Sequence, residues 1–151
     1  MIPPFDPVSK NLPAGIHEAT WDEILSRFGF TSHRLTLLAG IKEAFDALHA
    51  VGCQRAYLDG SFVSAKETPG DFDVCWETTG IDWVRLADVY PTILTFDNGR
   101  AAQKAKYGGE LFPADQTADS LSQRRYLEFF QRDKRTGDPK GIVAIDLGDL
   151  P

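Results

Sequence analysis

The stretch Tyr57–Trp76, YLDGSFVSAKETPGDFDVCW, decides how the chain is read. A short apolar run, Ala56-Tyr57-Leu58, leads into Asp59-Gly60-Ser61, and Asp71-Phe72-Asp73 opens a second run, Val74-Cys75-Trp76. Alternate residues of a β-strand share a face, so the carboxylates of Asp71 and Asp73 project side by side while Phe72 turns the other way into a core. Like charges this close repel and raise the pKa of at least one of them. A divalent cation relieves the repulsion, and magnesium takes oxygen ligands. The Gly60-Ser61 turn adds backbone N–H groups and a hydroxyl near the same spot, donors suited to an anion such as phosphate. The plainer reading makes Asp59-Gly60 and Gly70-Asp71 hairpin turns, with Asp73 facing solvent.

Working outward, the chain before this stretch predicts helices. Pro3, Pro4, Pro7 and Pro13 make residues 1–15 an extended arm that packs on the surface or meets a partner. Thr20 and Glu23 form a capping-box pattern opening a short helix that Gly29 ends. A longer helix covers Ser32 to Ala50, with Leu38, Ile41, Phe45 and Leu48 on one face and Arg34, Lys42, Glu43, Asp46 and His49 off it. After the stretch, Asp82 caps a helix from Trp83 to about Val89, and Ile93–Phe96 is ambiguous between strand and helix. A short basic helix is expected over 100–106, an edge strand over 110–113, a helix over 120–132 and a last strand over 142–147. Trp21, Trp76 and Trp83 read as core. The order predicts a mixed β-sheet with helices mainly on one side, an α+β fold, as a single domain over 16–151 behind the arm.

Composition narrows the function classes. With 151 residues, 42% hydrophobic and 25% charged, the chain is long enough for one real core. A net charge of −6 argues against general coating of nucleic acid while leaving room for a local basic patch. No apolar run reaches the ~20 residues of a membrane helix and the N-terminus lacks a basic leader, so a cytoplasmic protein without membrane contact is expected. Cys53 and Cys75 are isolated and read as buried thiols. The three histidines show no metal-ligand spacing. Two basic groups, Arg100/Lys104/Lys106 and Arg124/Arg125/Arg132/Lys134/Arg135, offer phosphate contacts or plain solvated faces, with Tyr107 or Tyr126 near enough in sequence to stack on a base.

Gly60-Ser61 after a strand, then Asp71 with Asp73 on the next, then a later acid in Ala144-Ile145-Asp146-Leu147, resembles the nucleotidyltransferase superfamily of polymerase-β type. The chain is also similar to a group of small bacterial proteins of unassigned function with Leu-Pro-x-Gly-Ile-His, Gly-Ser-Phe-Val and Lys-Gly-Ile-Val, here at 12–17, 60–63 and 140–143. The first resemblance implies a nucleotidyltransferase-like sheet and transfer of a nucleoside monophosphate from a nucleoside triphosphate to a protein or RNA hydroxyl. It implies Asp71, Asp73 and Asp146 as catalytic acids and ligands of Mg2+, with Gly60, Ser61 and Lys66 on the nucleotide; Asp149 or Glu110 could equally take the third acid's position. Metal ions ~4 Å apart would stabilise charge on the attacking and leaving oxygens. Small members suggest a toxin-antitoxin setting with a co-encoded protein partner. The chain departs from the pattern at Gly70, where active members commonly carry serine, and in the arginine-free loop 62–69. Its end soon after Asp146 leaves no following helical domain for a large acceptor. A catalytically silent antitoxin or binding protein of the same fold is the alternative reading.

Overall fold

The computed structural model describes residues 1–151. Its elements are β1 (Gly15–Glu18), α1 (Trp21–Phe28), α2 (Ser32–Ala50), β2 (Arg55–Asp59), β3 (Phe72–Trp76), α3 (Trp83–Val89), α4 (Asp97–Tyr107), β4 (Gly109–Pro113), α5 (Tyr126–Phe129) and β5 (Gly141–Asp146). Single 3-10 turns cover 60–63, 91–94 and 147–149. The strands form one mixed sheet in the order β1-β5-β2-β3-β4. β2 runs antiparallel to both its neighbours, whereas β1 is parallel to β5 and β4 to β3. Five helices on a five-stranded mixed sheet make this an α+β fold.

Alternation sorts the strands into two unequal faces. Ala56, Leu58, Phe72, Val74, Trp76, Leu111, Val143 and Ile145 enter one core of 28 buried residues that also takes the apolar sides of α1 and α2, Leu86 of α3 and Tyr107 of α4. Tyr57, Cys75, Phe112, Ile142 and Ala144 face the other way into a cluster of only seven, completed by Ala114 and Phe130. The helices α1 to α3 therefore lie on one side, with α5 and the segment 114–140 covering the thin side.

Local chemistry explains most boundaries. Thr20 and Glu23 exchange both bonds of the capping box, Thr31 caps α2, and Asp82 caps α3 through Arg85 N–H. The ambiguous 93–96 run becomes the 3-10 turn 91–94, started by Pro91. Four expectations change. The arm is extended, but Ile2 and Leu12 are buried in the main core, and Gly15–Glu18 adds a strand beside β5. The helix over 120–132 shrinks to Tyr126–Phe129. Asp119 Oδ1 accepts from Leu121 N–H, Gln123 sits at φ +58° and Thr117 bridges to Arg125, so a local turn outcompetes the helix there. Trp83 is 45% exposed, its ring tilted against that of Trp76 rather than enclosed. Arg34, expected off the buried face, is fully buried. No helix is long and apolar enough to cross a membrane.

Candidate functional site

The antiparallel β2–β3 pair sets Asp59 opposite Asp73, at the end of β2 and the start of β3. β4, parallel to β3, sets Glu110 opposite Asp73 on its other side. Residues in register share a face, so Asp59, Asp73 and Glu110 form a row across three strands on the thin side of the sheet. Asp71 stands just before the row, on the strand's approach.

The turn after β2 is shaped by what it must avoid and by what holds it. Gly60 has φ +75°, and a Cβ there would collide with the Asp73 carboxylate, so a side chain is excluded on both counts. Gly60–Val63 then winds one 3-10 turn, closed by Ser64 N–H and Oγ donating to Ser61 O, with Phe62 and Val63 buried. From beneath, Arg34 of α2 donates to the carbonyls of Phe28, Phe62, Ser64 and Lys66. Its guanidinium lies 4.3 Å from the Phe30 ring centroid and 5.0 Å from that of Phe62. Burial lowers its pKa to about 10, still charged at neutral pH. His33 holds the far end of the loop through Pro69 O at 2.5 Å.

Of the row, Glu110 pairs with Lys104, while Asp59 and Asp73 have no bonded cation. Asp59 is fully buried and neither carboxylate oxygen has a hydrogen-bond partner. Burial, then the Asp73 charge, push its pKa well above the usual carboxylate range. The same end of the sheet pushes Asp73 up to about 7, through burial first and then Asp71 and Glu110, with Lys134 and Lys140 opposing. Burial and Asp59 raise the Cys75 thiol as well, which leaves it an inert core group.

Asp71 and Asp73 open into a cleft of about 660 Å³. Gly60, Ser61 and Lys66 line one wall, Phe129 and Phe130 another, and Lys10, Arg132, Lys134, Arg135 and Lys140 close it. Six cationic side chains thus meet three carboxylates there, the third being Asp133, in a chain whose net charge is −6. The cleft is a local inversion of the molecule's charge and favours an anionic ligand beside a cation.

The structure gathers Asp71, Asp73, Gly60, Ser61 and Lys66 around one cleft and leaves Asp146 outside it. Asp146 is exposed, opposite Arg55 at the other end of β2, and accepts from Gly148 N–H at 2.9 Å. Four residue steps along β2 separate Arg55 from Asp59, roughly 13 Å. The reason is direction: β5 is antiparallel to β2, so its first residues, beside Lys140, approach the cleft and its last ones leave it. The expected third carboxylate, Asp146, therefore stands outside the cleft, and the alternative third acid, Glu110, is in register with Asp73 on the side away from Asp59, its carboxylate 3.4 Å from Lys104 Nζ. Tyr107 is buried and Tyr126 packs against Phe112, so the aromatic residues at the cleft are Phe129, half-buried, and Phe130, buried. Arg100 lies over Phe112 at 4.1 Å, which gives the first basic group a packing role. Arg34, Asp59 and Lys140 were missed. The only signals for them were an arginine beside an apolar stripe, an acid ending an apolar strand and a lysine opening one.

Whether these residues suit Mg2+ turns on the donor set. No three His, Cys, Asp or Glu side chains are assembled around one point. Magnesium usually takes only one or two protein carboxylates, the rest of its shell coming from water and substrate phosphates. Asp71 and Asp73 on the cleft, with no bonded cation and backed by a buried acid without a hydrogen-bond partner, fit that mode.

The chain belongs to the family of unknown function DUF6932, whose model matches residues 3–146 and so spans every strand of the sheet. No curated protein and no solved structure matches it.

Proposed function

We propose that this member of DUF6932 is a nucleotidyltransferase-like enzyme of the polymerase-β type, moving a nucleoside monophosphate from a nucleoside triphosphate to a hydroxyl acceptor. One observation carries the reading: Asp71 and Asp73 stand beside a tight Gly60-Ser61 turn and face a cationic wall within a single cleft. Asp71 and Asp73 would hold Mg2+, with Asp59 and Glu110 in register on either side of Asp73, and the ion would supply charge stabilisation on the phosphoryl oxygens. Gly60 admits the phosphate chain close to the backbone, and Ser61 Oγ donates to it. Lys66, Lys134 and Lys140 bind the remaining charge. The acceptor oxygen bonds to the α-phosphorus, the bond to the β-phosphate oxygen breaks, and pyrophosphate leaves with that electron pair. The acceptor's proton passes to water, because an Asp73 that holds Mg2+ no longer has the raised pKa of the free carboxyl. Arg34 keeps the loop at the height this geometry needs.

The test is transfer of label from each α-labelled nucleoside triphosphate, with Mg2+, to RNA or to a co-encoded partner protein. Transfer should fall by about 100-fold or more in Asp71→Asn and in Asp73→Asn. Equal transfer by those variants, or none by the wild-type chain with any of the four triphosphates, overturns the reading. The placement of Asp146 outside the cleft favours a second reading, a catalytically silent antitoxin or binding protein acting through a protein partner. That reading expects partner binding with no dependence on Mg2+, unchanged when both cleft aspartates are replaced.

A further inference from the structure

We infer that the acceptor side of this cleft takes a single-stranded nucleic acid, whose sugar-phosphate backbone runs from the cleft into a second depression. The first ground is continuity of charge. Arg132 and Lys140 border both the cleft and a neighbouring depression of about 340 Å³, and Arg124 borders the second alone. Positive side chains therefore continue past the place where the acids stand. A triphosphate has no use for that extension, whereas a polymer with one charge per nucleotide does.

The second ground is preorganisation. The lysines are carried on a closed turn in which Asp133 N–H donates to Asp138 O and Gly137 N–H to Asp133 O, each at 2.8 Å. Asp133 Oδ1 accepts from Arg135 N–H, and Asn11 of the arm donates to Asp133 Oδ2. Lys140 N–H donates to Gln131 O, and Arg132 bridges to Pro139. Basic residues read as one helix face in the sequence are thus held on a fixed ridge between two hollows.

The third ground separates a nucleic acid from a protein partner. Phe129 and Phe130 are the apolar residues lining the cleft, and Ala14 alone lines the second depression. Protein interfaces draw their energy from buried aromatic and aliphatic anchors, which this track lacks. Phe130 is itself buried, and the half-buried Phe129 ring beside a run of cations is what a base and its backbone use. The binding claim stands apart from catalysis; only the position of the strand's terminal hydroxyl at Asp73 rests on the transfer reading.

The experiment is fluorescence anisotropy of the full chain with end-labelled 12-nucleotide single-stranded RNA, the matching DNA and a duplex, over a range of KCl concentrations. Single strands should bind more tightly than the duplex, with log affinity falling against log salt by about 0.7 per phosphate contacted. The RNA and DNA arms decide which sugar is preferred. Lys134→Gln with Lys140→Gln should cut affinity at least tenfold and flatten the slope by about 1.4. Arg124→Gln, exposed and away from the acids, should weaken binding severalfold. Absence of strand binding at low salt overturns the inference, as does an Arg124→Gln variant that binds as wild type does. So does transfer to a partner protein by a chain that binds no strand, which leaves the transfer reading intact. Strand binding without any transfer supports the inference and removes the transfer reading instead.

Discussion

The two ends of β2 carry opposite electrostatic solutions on the same face of the same sheet. At its start, Arg55 meets Glu18 through both carboxylate oxygens and donates to Tyr57 Oη at 3.1 Å. Tyr57 in turn donates to Glu77 at 2.5 Å, so every charge at that end has a partner. At its end, four residues on, buried Asp59 and half-buried Asp73 stand side by side with no cation bonded to either. Folding alone gains nothing from such a pair, since unpartnered buried charge is costly. The contrast separates the end of the strand built for stability from the end that holds charge in reserve for a ligand.

The largest effect expected from this contrast is an inverted pH dependence. Both Asp59 and Asp73 have folded-state pKa values above the unfolded value, so the folded chain binds more protons between about pH 4 and pH 7. Their contribution to stability is fullest below about pH 4 and is lost as pH rises through each folded-state value, about 7 for Asp73. Asp6, Glu18, Asp119 and Asp133 have lowered values and act in the opposite sense, losing stability as pH falls. The difference between wild type and Asp59→Asn isolates the pair. Urea denaturation should find Asp59→Asn more stable at pH 7 by about 1–3 kcal/mol and near parity at pH 4. A variant less stable at pH 7 would mean that Asp59 is satisfied in the fold.

The opposite sign is expected at the other end. Arg55→Met removes the partner of Glu18 and one donor to Tyr57, and it should cost about 1 kcal/mol at pH 7, because the guanidinium is about a third exposed and Glu18 more so. High salt should reduce that loss, whereas the gain in Asp59→Asn, being buried, should resist it. Equal salt sensitivity at the two ends would break the comparison.

How much of this the residues disclose on their own follows from the range of each force. The capping box at Thr20, the stop of α2 near Gly52 and the side-by-side acids of 71 and 73 are local, and they are legible. Strand direction is not local. The run Ala144-Ile145-Asp146 looks the same whether it enters or leaves a site, and only pairing with β2 decides it. Arg34 sits beside an apolar stripe like any surface arginine, and its burial becomes visible only once the 60–66 loop brings its carbonyls overhead. Asp59 reads as a turn residue until Asp73 is seen opposite it.

The smallest expected effect tests that question of direction. Asp146 caps the turn 147–149 by accepting from Gly148 N–H, and asparagine caps as well as aspartate does. Asp146→Asn should therefore change stability by less than about 0.5 kcal/mol, since the site is exposed and its cap is kept. Binding of Mn2+, used as a paramagnetic stand-in for Mg2+, should also stay at the wild-type level, whereas Asp73→Asn weakens it at least tenfold. The two aspartates each belong to a strand paired with β2, and they differ mainly in which end of it they face. Weakened Mn2+ binding in Asp146→Asn would require β5 to run the other way past β2, which the Tyr57–Ala144 and Leu58–Val143 register forbids.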